Sequence, residues 1–270
     1  MINKISLLLI FLIALNTSSF SQSILKVGLT YTLGKEQSLL GKKKDKHHEK
    51  NVLSSFGGGL SIDVGYAYLT DDLYGPEATF TFFIGKPKVI NHIESDNAES
   101  ETVINRKLLY FSPSLFILAG SNNDINPYLS SGILFNLWED VTKTETLKTA
   151  DNKLIEKVWK VNFNKGIGYK SKIGALYNTN GDVNPYVEIQ YQMISIGYNN
   201  EELLSYTVNN EDKLSTLSLS DKKHIYVPSL DHNSNVKSND NFDANKPTSV
   251  LGNYANYNHV GVNAGAFFIF

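Results

Sequence analysis

The sequence predicts an all-β chain folded as one antiparallel, up-and-down barrel of eight strands, and three observations carry that expectation. Segments along nearly the whole chain alternate apolar and polar residues with a period of two. Connections rich in Gly, Asn, Asp and Pro separate them and are alternately long and short. The polar side of each segment is small, mostly Gly, Ser and Thr, whereas the other side is large and apolar. A solvated outer surface would favour Lys, Glu and Gln, so the small side reads as a crowded interior and the greasy side as the outside.

In chain order the alternating segments are 24–33, 56–68, 77–87, 107–118, 128–138, 158–176, 186–198 and 257–270. The first sets Leu25, Val27, Leu29 and Tyr31 against Gly28, Thr30 and Thr32. The second sets Leu60, Ile62, Val64 and Tyr66 against Ser61 and Gly65, and the third sets Phe80, Phe82 and Ile84 against Thr79 and Thr81. Val187, Ile189, Tyr191 and Met193 give the seventh its apolar face. The last has Val260, Val262, Ala264, Ala266, Phe268 and Phe270 on one side and His259, Gly261, Asn263 and Gly265 on the other. That dyad pattern is the one transmembrane β-strands show. Tyr66, Tyr68 and Tyr177 beside the short turns, with Tyr31 and Trp159 toward the long loops, read as two aromatic girdles.

The short connections each end in a proline at the foot of the next strand, and 124–128 repeats the phrase of 182–186 at four of five positions. The long ones are 34–55, 88–106, 139–157 and 199–256. Short turns on one side and long loops on the other fit a barrel with its turns in the periplasm and its loops outside the cell.

Residues 1–21 read as a signal peptide: one positive charge at Lys4, an apolar stretch over 5–15, and small residues before an expected cleavage at Gln22. Residues 22–270 then form a single barrel domain. No later stretch offers 18 consecutive apolar residues, so a membrane location requires a closed barrel. The chain has no cysteine and a net charge of −2, which excludes disulfides and gives no electrostatic case for nucleic acid.

Charges on the expected interior are Lys26, Asp63, Arg106, Lys170, Lys172 and Glu188. Folding the hairpin at 177–185 sets Lys172 nearly opposite Glu188, which predicts an ion pair there, with Lys26 joining as the first strand closes on the last. Such a network of Lys26, Lys172 and Glu188 would plug the lumen of so small a barrel. His259 is the one histidine within a strand, and it faces inward without a nucleophile-elbow serine in the chain. The basic run 42–50 either grips glycolipid phosphates or stays solvated, and its His47-His48 lacks a further ligand at metal spacing. Asp231, Asn233 and Asn235 match the first, third and fifth positions of a calcium loop, but Val236 and Phe242 stand where Gly and Glu belong, so no metal is expected. No cofactor motif occurs. Segments 214–220 and 224–227 read as a small hairpin within the last loop.

Signal peptide, eight alternating strands, alternating connection lengths and the Phe268-Ile269-Phe270 ending together resemble the small outer-membrane β-barrel proteins of the Bacteroidota type. The resemblance implies an outer-membrane location with both ends in the periplasm and Phe268 and Phe270 as the signal read by the barrel-insertion machinery. It also implies contact with outer-membrane lipid and lipopolysaccharide. The expected function is a non-enzymatic envelope scaffold or surface-binding platform, with an extracellular or envelope protein as partner of loop 199–256. The alternatives are a conduit for a small or apolar solute and a lipid-modifying enzyme using His259.

Overall fold

Period-two alternation becomes strand almost everywhere. The computed structural model describes residues 21–35, 38–44, 49–70, 73–95, 97–120 and 124–270, so the expected signal peptide lies almost wholly outside the described residues. The strands are β1 (Ser21–Gly34), β2 (Ser38–Lys44), β3 (Glu49–Ser54), β4 (Gly59–Thr70), β5 (Tyr74–Ser95), β6 (Ala98–Leu118), β7 (Ile125–Thr149), β8 (Leu154–Phe163), β9 (Ile167–Tyr177), β10 (Val183–Val208), β11 (Glu211–Asp212), β12 (Lys223–Val227), β13 (Thr248–Leu251), β14 (Tyr254–Asn256) and β15 (His259–Ile269). Antiparallel pairing runs β1–β4–β5–β6–β7–β9–β10–β15 and returns to β1, a closed ring of eight strands. Closure leaves no unpaired edge at ring level. β1 meets β15 in register from Ile24↔Ile269 to Gly34↔His259, which puts the start of β1 and the end of β15 beside the short turns.

Two expectations about the connections are corrected. Most of 88–106 and 139–157 is not loop: β5 and β6 stay paired out to Ser95↔Ala98, and β7 and β8 out to Lys148↔Leu154. β5 alone has 22 residues, roughly 70 Å at about 3.3 Å per residue, far beyond the ~25 Å apolar height of a membrane barrel. The ring therefore carries a wall of long hairpins on its loop side. The expected hairpin of 214–220 with 224–227 does not form either. Ser218 caps a single helical turn, Leu219–Lys222, by accepting from the Asp221 amide, and β12 pairs with β10 and β13 instead.

A third correction concerns the continuous strand expected over 158–176, which is broken between β8 and β9. At the break the Asn136 side-chain oxygen accepts from the Gly166 amide, while the Asn136 amide donates to the Gly166 carbonyl at 3.3 Å and the Asn164 amide to the Gly197 carbonyl at 2.8 Å. Above the break β10 changes neighbour from β9 to β8.

The two faces of the wall sort as alternation requires. Leu29, Ile62, Phe80, Ile133, Val187 and Val262 all point outward, with 48–57 % of their surface exposed. Of the hydroxyls on that face, Ser23 pairs with Tyr66 at 2.9 Å and Ser131 with Tyr169 at 2.7 Å. Tyr66, Tyr177 and Tyr31 are on the outside as expected, but Trp159 is not. It is 3 % exposed and packs inward in the loop-side wall, stacked on His224 at 4.7 Å, because it shares the inward parity of Val161 and Phe163.

Candidate functional site

Inside the ring the side chains stack in three layers. Ile24, Leu69, Phe116, Leu176 and Phe267 form an apolar layer at the short-turn end. Phe83, Leu108, Leu134, Ile194 and Tyr257 form a second toward the loops. Between them lies a charged layer in which every lysine has a carboxylate. Lys26 of β1 is bound to Glu188 of β10. Lys172 of β9 reaches Glu77 of β5 at 3.0 Å and Thr79 at 2.9 Å. Lys170 reaches Asp63 of β4 at 3.0 Å and Thr81 at 2.9 Å.

The remaining lone pairs are also taken. Glu188 accepts from the Tyr128 hydroxyl at 2.8 Å and from the Asn263 amide at 2.9 Å, and the same Asn263 amide reaches Asp63 at 3.0 Å. Glu77 accepts from Ser114 and Ser130. Lys26 sits among three rings, 4.6 Å from the centre of Tyr186, 5.2 Å from Tyr128 and 5.4 Å from Phe267. Gly28 makes this possible, since a Cβ there would run into the Tyr186 hydroxyl and Asn263. Each partner in these pairs is at most 3 % exposed, so the layer is charge-balanced and desolvated.

The expected Lys172–Glu188 pair is therefore not the one formed. In the β9–β10 ladder Lys172 stands opposite Gln190, one dyad from Glu188, and its ammonium crosses the lumen instead. Neighbour-strand reasoning cannot see such a reach. Glu77 escaped it because it follows Pro76 at a strand foot, although its parity with Thr79 and Thr81 marks it as inward.

A second charged cluster sits in the loop-side wall. Glu201 of β10 is 3 % exposed and receives Lys143 of β7 at 2.6 Å and the Tyr226 hydroxyl at 2.7 Å, with His224 of β12 at 3.6 Å. Burial alone would raise the Glu201 carboxyl, but the neighbouring His224 imidazole and then the Lys143 charge reverse this and hold it at about 2. The cluster ties the last loop to the wall, where β12 pairs with β10 over only Asn200–Glu202. Beside it a cleft of about 350 Å³ is lined by Trp159, Tyr206, His224, Lys157 and Lys237.

The other sequence candidates are scattered. His259 is 3 % exposed inside the ring, lies 3.2 Å from the Tyr257 carbonyl and stacks on Phe83 at 6.2 Å. Among the described residues no serine or carboxylate hydrogen bonds to it. Phe270 is 76 % exposed at the short-turn end, its backbone paired with Ser23. Of the basic run, 45–48 lie outside the described residues, His47-His48 included. Asp231 spends its carboxylate on the backbone amides of Asn233 and Ser234, and no group of metal-ligating residues occurs among the described residues.

No protein-family model matches the chain, and no curated protein matches it. Among solved structures the chain is similar to the outer membrane protein OprG from Pseudomonas aeruginosa. The two share 12 % identity with a TM-score of 0.45, over 93 % of this chain and 96 % of that one.

Proposed function

We propose that this chain is an integral β-barrel of the bacterial outer membrane, a non-enzymatic scaffold or surface-binding platform whose plugged ring holds up the loop-side wall. One observation carries the reading: a closed ring whose outward face is apolar from Leu25 to Leu33, Leu60 to Tyr68 and Val183 to Met193, about the 9–11 residues a strand needs to cross a bilayer. Left in water, that belt would far exceed the few hundred Å² of contiguous apolar surface that monomers tolerate. Lys35, Lys86, Lys107 and Lys165 begin the polar surface just above it, where lipid headgroups would lie.

In this reading the short turns and both ends face the periplasm, Phe268 and Phe270 engage the barrel-insertion machinery, and lysines 42–44 contact lipopolysaccharide. Segment 199–256 meets an extracellular or envelope protein. Planar-bilayer recording of the refolded protein tests the plugged platform: no steady conductance is expected. Steady currents that change with Lys172→Ala or Glu188→Ala would overturn it.

A conduit for a small or apolar solute is the second reading, favoured by the interrupted stave at 164–166. There Lys165 caps the Leu137 carbonyl at 2.6 Å, Asn136 bonds Gly166, and regular pairing lapses between β7 and β10. A lateral path through that gap would leave the charged layer intact. Crosslinking residue 165 to residue 137 would then stop uptake without affecting folding.

A further inference from the structure

Of the 25 basic residues in the chain, Arg106 is the only arginine. It projects inward from β6 at the loop-side end of the ring and is 3 % exposed. One terminal nitrogen, Nη2, donates to the Lys86 carbonyl at 2.8 Å, while Nε and Nη1 are buried with no hydrogen-bond partner among the described residues. Among the described residues the groups that bear on its charge are the hydroxyls of Tyr110, Tyr198 and Tyr257; the carboxylate of Glu139 bears on Tyr110 and Tyr257 and makes no ion pair with Arg106. Every lysine of the charged layer has a carboxylate, so Arg106 stands apart. A buried charge without a counter-charge is strongly destabilising, as are buried donors without acceptors.

The neighbours share the deficit. Among the described residues the Tyr257 hydroxyl is buried without a partner, and Tyr110 and the Gln192 amide, buried beside it, have at most each other. Tyr110 and Tyr257 belong to one buried cluster with Phe56, whose ring lies against both Tyr257 and Arg106, and Gln192 adjoins Tyr110. Phe56 covers one flat side of the guanidinium at 4.7 Å, which directs recognition to its N–H edges. Gly85 stands opposite in the ladder, and a Cβ there would come within 2.7 Å of Nε. Lysine would offer a point charge; arginine offers fixed, planar donors suited to an oxyanion.

We propose that Arg106, with Tyr110, Tyr257 and Gln192, forms a binding site for a small monocarboxylate at the loop-side end of the lumen. A positive charge with no ion-paired carboxylate among the described residues calls for one negative charge. The donors supply hydrogen bonds for two carboxylate oxygens, and Phe56 offers an apolar wall to a short alkyl tail. The site is independent of whatever the outer loops hold.

A single arginine gives a single Nε resonance, so the full-length barrel labelled with ¹⁵N-arginine and folded in detergent reports the site directly. Titration with sodium propionate at fixed ionic strength is expected to move that resonance saturably, and the neutral isostere propionamide is expected to leave it in place. Tyr257→Phe keeps the ring and should weaken propionate binding about tenfold, the loss of one hydrogen bond to a charged group. Arg106→Lys should abolish the rise in thermal midpoint that propionate gives the parent. A non-saturating shift, an equal response to propionamide, or unchanged affinity in Tyr257→Phe overturns the site, and the last two stand even if Arg106→Lys does not fold.

Discussion

The charged layer of the lumen and the ion pairs of the loop-side wall use the same residue types in opposite surroundings. Lys26–Glu188 and Lys172–Glu77 are sealed inside the ring, whereas Lys237–Asp221 on the last loop has side chains 66 % and 33 % exposed. Glu201 falls between them, itself buried but held by Lys143 at 14 % and His224 at 26 % exposure. Spacing and charge type are alike; water access differs. The worth of each pair therefore follows from burial, and the inner layer acts by leaving no charge alone rather than by strong net attraction.

That contrast can be broken most sharply from inside. Glu188→Ala leaves the Lys26 ammonium buried without its carboxylate and should cost about 3–5 kcal/mol in urea unfolding of the lipid-folded barrel. Replacing both members of a pair, as in Lys172→Met with Glu77→Leu, should cost far less or even stabilise. A double variant as damaged as Glu188→Ala would mean that the pairs attract more than they are penalised for burial. In the wall, Glu201→Gln should cost about 1–3 kcal/mol, since it weakens the bonds from Lys143 and Tyr226 and removes the charge beside His224. Because the Glu201 carboxyl is held at about 2, below its ordinary 4.5, its contribution is complete above pH 4.5 and fades as pH falls toward 2. Protease nicking of 209–256 should rise over that window in the parent and not in Glu201→Gln. At the exposed extreme, Asp221→Asn should change stability by less than about 1 kcal/mol. A larger loss would erase the ordering by burial.

How far the residues announce all this depends on what decides each feature. Alternation in 24–33 or 186–198 has one solution, because a slip of one residue would put Lys26 or Glu188 in the apolar belt and Leu29 or Val187 in the lumen. The ring and its inward and outward sides were legible for that reason. The hairpin wall was not, because Thr142, Thr144 and Thr146 alternate with Lys143 and Glu145, so neither face looks apolar even though the stretch is well suited to strands. Trp159 misled by type: an aromatic near a boundary suggests a girdle until its parity with Val161 is weighed. The break at 164–166 is held by contacts to Asn136 and Gly197, both distant in sequence. The ion pairs depend on the width of the lumen, which no single hairpin contains.

Whether the apolar outside meets lipid can be measured directly. The chain has no cysteine, so Phe80→Cys, Val187→Cys and Val262→Cys each accept one nitroxide in barrels refolded into bilayers. The expected result is high accessibility to oxygen and exclusion of a water-soluble nickel complex at all three sites, with the opposite at Lys107→Cys just above the belt. Free access of the nickel complex to Phe80→Cys, Val187→Cys and Val262→Cys, in a protein that stays soluble without detergent, would contradict the membrane barrel.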